Sequence, residues 1–281
     1  MDGEGVSAER FTVRFWGVRG TLATPGAGTV RYGGNTSCLE IRCGKHLLVF
    51  DAGTGLRELG RALRDEQPLD FDLYLSHTHY DHVSGLAFFE PAFTRTNQVR
   101  VWEGHLGQAL SLREVLVHMM TPPLFPVPVN LLEPACDFRK FRAGDTLSPR
   151  PGITIRTAAL RHPNEAVGYR LEFGGRSLCY VTDTEHEVGT RDQTIVELVR
   201  GADYFIYDCT YSDDEYERHR GWGHSTWQEC CRLAEAAGVK TAVIFHHDPN
   251  HDDHDMDRIA AAAAEMRPGT IVAREGMVLE L

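Results

Sequence analysis

The chain has 281 residues, 42% hydrophobic and 25% charged, which is typical of a globular protein and enough to bury a full core as one domain over residues 1–281. The net charge of −11 argues against a surface for long nucleic acid, which carries a basic stripe, but it permits a small anionic substrate because metals supply local positive charge. No apolar run approaches the roughly 20 residues of a membrane span, and the polar, acidic start MDGEGVSAER lacks the basic and apolar regions of a secretory signal.

Residues 13–18 (VRFWGV), 37–43 (SCLEIRC) and 46–51 (HLLVFD) are rich in β-branched and aromatic residues and predict early strands. Residues 56–65 have helical spacing, with Leu56, Leu59 and Leu63 on one face. FDLYLS (71–76) predicts a buried strand that runs into a histidine cluster. Residues 105–135 interrupt the pattern. There HMMTPPLFPVPV carries Pro122, Pro123, Pro126 and Pro128, a density that argues against a regular helix or a central strand. The segment reads either as a packed surface insertion or as a lid or subunit contact beside the site.

Strands return at 154–160, 167–173, 177–183 and 202–208, with helices at 194–201 and 225–238 whose Gly201 and Gly238 stand where C-caps belong. A strand at 241–247, a helix at 256–266 and two short strands within 271–281 complete the pattern. Strands first, then alternating strands and helices, predict an α/β fold in which two sheets pack face to face with helices outside. The seven cysteines are odd in number and never spaced C-x-x-C, which suits a reduced, cytoplasmic chain; the adjacent Cys230 and Cys231 read as helix packing.

The chemistry concentrates in SHTHYDHVSG (76–85). His77, His79, Asp81 and His82 put four metal-ligand types in six positions. His77 and His79 are two apart, so an extended backbone points both to one side. One metal rarely takes four ligands from so short a loop, so two adjacent metals sharing further ligands is the natural solution. Those further ligands stand at later strand ends: His162, Asp183, and the pair His246 and His247. Asp183 is able to bridge. After His246, HHDPNHDDHDMD reads as an acidic, solvated loop capping the helix near Met256.

This constellation resembles the metallo-β-lactamase superfamily over nearly the whole chain. The resemblance implies an αββα sandwich of two mixed β-sheets flanked by helices. It implies one metal on His77, His79 and His162, a second on Asp81, His82 and His246, and Asp183 between them. It favours His246 over His247 as the ligand. Two divalent ions are implied, zinc by default, with manganese or iron competing. Three further stretches, FWGVRG…RYGGNTSCLEI with FDAGTG, LRHPNEAVGYRLE, and WGHST, look like the phosphodiesterase and ribonuclease Z side of the family.

In that branch the GHST histidine protonates the leaving alkoxide after metal-bound hydroxide attacks phosphorus. The match assigns this role to His224, with Asp208 orienting it. Asp81, His224 and Asp208 then carry catalysis. The bland reading of His224 is a neighbour of a helix cap, since Ser225 or Thr226 opens a helix regardless. Asp51 reads as tying down a ligand histidine, Asn35 as a turn residue, and the glycines of FDAGTG as a weak sign of backbone amides near the site. Arg19 and Arg31 are candidate phosphate contacts, but most arginines are solvated surface, and both read so here.

The leading expectation is a phosphodiesterase for a small anionic diester such as a 3′,5′-cyclic nucleotide. The alternatives are transfer-RNA 3′ processing, a lactone or cyclic phosphate ester hydrolase, and a metal- and nucleotide-binding module without turnover. A homodimer is expected from the proline-rich apolar segment and the family's habit.

Overall fold

The computed structural model describes residues 10–108 and 110–281, so the first nine residues of the N-terminal stretch lie outside it. Alternation makes the first strand: Phe11, Val13 and Phe15 of β1 (Phe11–Gly17) are buried while Arg14 faces solvent. β1 pairs antiparallel with β2 (Cys38–Cys43), and β2 with β3 (His46–Phe50). The ladder then turns parallel through β4 (Asp70–Tyr74), β5 (Gln98–Glu103) and β6 (Cys136–Lys140). The second sheet begins as an antiparallel meander, β7 (Thr146–Arg150), β8 (Ile153–Leu160), β9 (Ala166–Phe173) and β10 (Arg176–Val181). It continues parallel through β11 (Tyr204–Asp208), β12 (Thr241–Phe245) and β13 (Ile271–Val272). β14 (Val278–Glu280) returns to pair with β1, so the first and last strands share a sheet while β13 lies in the other.

The sheets face each other across an aromatic core. Phe50 of the first sheet stacks on Tyr169 and Tyr180 of the second, with ring centroids 5.0 and 5.6 Å apart. Two more apolar layers lie outside. α1 (Gly55–Ala62) and α3 (Leu112–Met119) cover the first sheet through Leu56, Leu59, Leu112 and Leu116. α4 (Gln193–Val199), α6 (Trp227–Ala237) and α7 (Asp253–Met266) cover the second, and Cys230 and Cys231 are buried there. Two short turns, α2 (Tyr80–Val83) and α5 (Asp213–Tyr216), stand at the sheet ends. No described helix is long and apolar enough to cross a membrane.

The expectation for residues 105–135 needs correction. A regular helix, α3, forms ahead of the first proline, and Ser111 and Glu114 close a capping box at its start. The prolines that follow exclude helix only from Pro122 onward. Strands β5, β6 and β7 were not expected; β6 reads CDFRK, an edge strand too polar to signal itself. Asp252 does cap α7, accepting from His254 and Asp255 N–H. The acidic stretch that opens it is not simply solvated, however. Asp253 is buried and accepts from the backbone N–H of Arg31 and Tyr32. Arg19 is fully buried too, donating to the carbonyls of Gly33, Asp248 and His251. Arg31 remains half-exposed against Asp257.

Candidate metal centre

Strand direction gathers the site. β10, β11 and β12 run parallel, so Asp183, Asp208 and His246 all emerge at one edge, where parallel sheets bind ligands. β8 is antiparallel to β9 and β9 to β10, so β8 also ends at that edge and delivers His162. From the first sheet, β4 runs into His77 and His79, and the α2 turn carries Asp81 and His82 back.

The chain holds these residues in costly backbone. Asp51, Asp183 and His246 all have φ between 56 and 59° without being glycine. Such left-handed residues persist where packing over-determines them, and they cluster at functional sites. Glycine serves where room is short: a Cβ on Gly20 would stand 2.3 Å from the His246 ring, and one on Gly223 would stand 2.3 Å from His162.

Two donor groups form without His224. His77, His79 and His162 form one; Asp81, His82, Asp183 and His246 form the other, each with one ligand atom within 4.8 Å of the rest. Asp183 faces both. Its Oδ1 lies 3.8 Å from His77 Nε2 and 3.7 Å from His162 Nε2, and its Oδ2 lies 3.2 Å from both His82 Nε2 and His246 Nε2. Asp81 Oδ2 is 3.2 Å from His82 Nε2 and 3.4 Å from His246 Nε2.

The hydrogen bonds fix which imidazole nitrogens carry lone pairs. His82 Nδ1–H donates to Asp51 (2.8 Å), which also accepts from Ser76 and Tyr180. His162 Nδ1–H donates to the Gly223 carbonyl (2.7 Å). His246 Nδ1 meets Thr210 Oγ1 at 3.0 Å, and that hydroxyl donates to Asp208. Each assignment turns Nε2 inward as an acceptor. His82 Nε2 and His246 Nε2 then face each other at 3.3 Å, and His77 Nε2 is buried without a hydrogen-bond partner among the described residues. Converging lone pairs and carboxylates repel unless a cation lies among them. The donor set therefore fits metal ions.

His224 adjoins the cluster and closes two further donor groups, one with His162 and Asp183 and one with Asp208 and His246. Its Nδ1 donates to Asp208 Oδ2 at 3.0 Å and lies 3.7 Å from Asp183 Oδ1. Burial disfavours the charged ring, but Asp208, with Asp183 and Asp81 behind it, outweighs burial and holds its pKa at about 9. Burial pushes the Asp208 carboxyl up, yet His224 and His246 bring it below the usual carboxylate range.

His247 turns away. Its Nε2 bonds the Ala273 carbonyl at 2.8 Å, and burial together with Arg19 drives its pKa down to about 3. The glycines of FDAGTG do not present amides to the site: Gly53 N–H bonds the Ser37 carbonyl, and the residue packs under the Asp81 carbonyl. Asn35 joins Glu275 and Thr54 in a structural tie.

Four neighbours escaped the sequence. Thr210 links Asp208 to His246. Thr21 N–H donates to Asp81 Oδ2 at 2.7 Å. Asn164 Oδ1 meets His79 Nε2 at 3.3 Å, and His105 holds Thr78 at 3.0 Å beneath the His77–His79 turn. His105 alone carried a signal, a histidine two residues past the end of β5.

Residues 46–247 match the family model described as the beta-lactamase superfamily domain, and the chain belongs to this family. Its paired mixed sheets flanked by helices are the metallo-β-lactamase fold. Among curated proteins it is similar to ribonuclease Z of Myxococcus xanthus, 24% identical over 297 residues that cover 88% of this chain and 92% of that one. Among solved structures, the metallo-β-lactamase fold protein YhfI from Bacillus subtilis matches with a TM-score of 0.73 at 18% identity, covering 97% of this chain and 100% of that one. A diphosphatase from the PhnP family matches with a TM-score of 0.70 at 18% identity, over 97% of each chain.

Proposed function

We propose that the protein is a phosphodiesterase dependent on two divalent cations, acting on a small phosphodiester, with a 3′,5′-cyclic nucleotide the best single substrate. His77, His79 and His162 would hold one cation, Asp81, His82 and His246 the other, with Asp183 between. When bound, two such cations offset charge on the phosphoryl oxygens and lower the pKa of water. Everything else falls to the chain's own residues. Asp51, Gly223 and Thr210 keep the imidazoles in the tautomer that turns Nε2 inward.

The observation that carries the reading is the His224–Asp208 pair. With Nδ1 committed to Asp208, the Nε2–H of a protonated His224 is free to donate. Water adds to phosphorus and loses a proton to solvent. The P–O bond to the ribose breaks, and the departing oxygen takes the Nε2 proton. A lactonase or a structural metal site does not call for a charged histidine paired with a buried carboxylate beside the donors. Replacing His224 by Ala is expected to cut turnover of 3′,5′-cyclic AMP by about 10²–10⁴-fold while both cations stay bound, read by initial rates with metal analysis. Unchanged turnover would sink the assignment.

Full-length similarity to a protein named ribonuclease Z supports a second reading, cleavage at the 3′ side of transfer RNA. The net charge of −11 opposes it. We also propose a homodimer through the proline-rich segment, supported by Leu124 and Phe88, 80% and 60% exposed, beside Phe125. Light scattering that gives a monomer mass would contradict it.

A further inference from the structure

Trp222 lies two residues before His224 and is 62% exposed. One exposed apolar side chain calls for no explanation by itself; the bracing of this one does. The carboxylate of Glu185, on the loop that follows Asp183, accepts from the backbone N–H of Gly221 at 2.9 and 3.0 Å and from that of Gly223 at 2.8 Å. Those residues flank Trp222 on both sides. Trp222 N–H itself donates to the His219 carbonyl at 3.1 Å.

The indole is supported from behind as well. The His219 ring meets it edge-on at 5.2 Å and lies flat on buried Tyr211 at 4.2 Å and 9°. Tyr211 in turn meets His224 edge-on at 6.1 Å. An aromatic stack thus runs from the candidate proton donor out to a mostly solvated indole on a fixed turn. Arg218 and Arg220 of the same turn are exposed, Arg220 paired with Glu217 at 2.6 Å and set over the Tyr216 ring. A pre-organised aromatic face beside cationic side chains is the composition that binds unpaired nucleobases, and it accepts any base because each has a π-face.

We infer that Trp222 is a stacking platform for a nucleobase on the leaving group, so the site takes nucleoside-bearing phosphodiesters. This rests on the reading of His224 as the proton donor, because the donor stands on the leaving-group side and Trp222 shares its turn. A cyclic mononucleotide and the 3′ region of an RNA both present a base there, and the stack selects the class rather than a particular base.

Binding and turnover separate this inference from the reaction on which it rests. Isothermal titration of wild type, Trp222→Ala and Trp222→Phe uses adenosine 5′-monophosphate and ribose 5-phosphate as probes. The expected result is an affinity for adenosine monophosphate reduced about ten- to a hundredfold in Trp222→Ala and retained in Trp222→Phe, with ribose phosphate binding the same throughout. Turnover is compared as the kcat/KM ratio of 3′,5′-cyclic AMP to its base-free 1-O-methylribose analogue, and that ratio is expected to fall by the same factor, mainly through KM. A ratio loss on the cyclic nucleotide assigns the platform to a mononucleotide, whereas a loss seen with pre-tRNA alone assigns it to RNA. If wild type and Trp222→Ala bind adenosine monophosphate equally, or lose ribose phosphate equally, the platform is overturned even where diesters are still cleaved. If binding depends on Trp222 while no diester is cleaved, the platform stands and the proposed reaction falls. Equal melting temperature and metal content in the variants exclude a folding defect.

Discussion

At the scale of single residues, the decisive feature is a histidine that keeps its proton. In the folded chain Asp208 holds the His224 pKa at about 9, whereas an unfolded histidine titrates near about 6.5. The folded state therefore binds this proton more tightly, so the pair's contribution to stability is fully present below about 6.5 and is lost as pH rises through about 9. Thermal unfolding of metal-free protein should show a melting temperature that declines over that window, and His224→Ala should flatten the decline. A wild-type profile identical to that of the variant would contradict the pairing. His247, adjacent in sequence to His246, shows how local the difference is. Its burial and the neighbouring Arg19 keep it neutral down to about 3, against the opposite pull of its bond to the Ala273 carbonyl, so two neighbouring histidines serve different ends. In the string FHHDP only the resemblance to the family favours His246; the left-handed backbone at His246, which turns one ring to the site and the next to the core, is a property of the folded edge.

At the scale of elements, strand ends do the positioning, and what holds them is testable. Asp51 at the end of β3 ties His82, Ser76 and Tyr180 together in the buried floor of the site. Asp51→Ala leaves those donors unsatisfied and frees the His82 tautomer, so cation affinity should fall about 10–100-fold, measured by competition with a chelator. Phe50, the residue before it, stacks between the sheets; Phe50→Ala should cost about 3–5 kcal/mol in chemical denaturation, because a full ring is removed from a closed core. The strands and helices that flank the site were legible because each carries a strong period or cap: 46–51, 177–183 and 241–247 appear as β3, β10 and β12 within two residues. The strand-end ligand types were legible as a set for the same reason. Thr210, Thr21 and Asn164 were not, since a threonine or an asparagine in a loop looks alike whether or not a distant strand brings a histidine to it. The helix α3 was masked by the prolines that lie beyond its end.

At the scale of the whole molecule, the net charge of −11 sets what can approach the site. Repulsion opposes a long polyanion and hardly affects a diester carrying a single charge. The kcat/KM for 3′,5′-cyclic AMP should be nearly flat between 50 and 200 mM salt, because few counterions are released. Cleavage of pre-tRNA through the six to ten phosphate contacts of a true nucleic-acid surface would fall by about 10³–10⁵-fold over that range. The buried Arg19 and Asp253, which latch the loops at 19–33 and 248–253 together, belong to this scale as well. A run of acidic residues looked solvated in sequence, yet its members fasten one edge of the site.

The most direct test of the account measures bound metal and hydrolysis on the same sample. Protein with its metal content quantified is incubated with 3′,5′-cyclic AMP beside His224→Ala and Asp183→Asn. The account predicts two divalent cations per chain and formation of the ring-opened monophosphate by wild type. It predicts loss of turnover with metal retained in His224→Ala, and loss of both metal and turnover in Asp183→Asn. Hydrolysis that survives in Asp183→Asn, or a wild type that binds two cations and opens no phosphodiester, would contradict it.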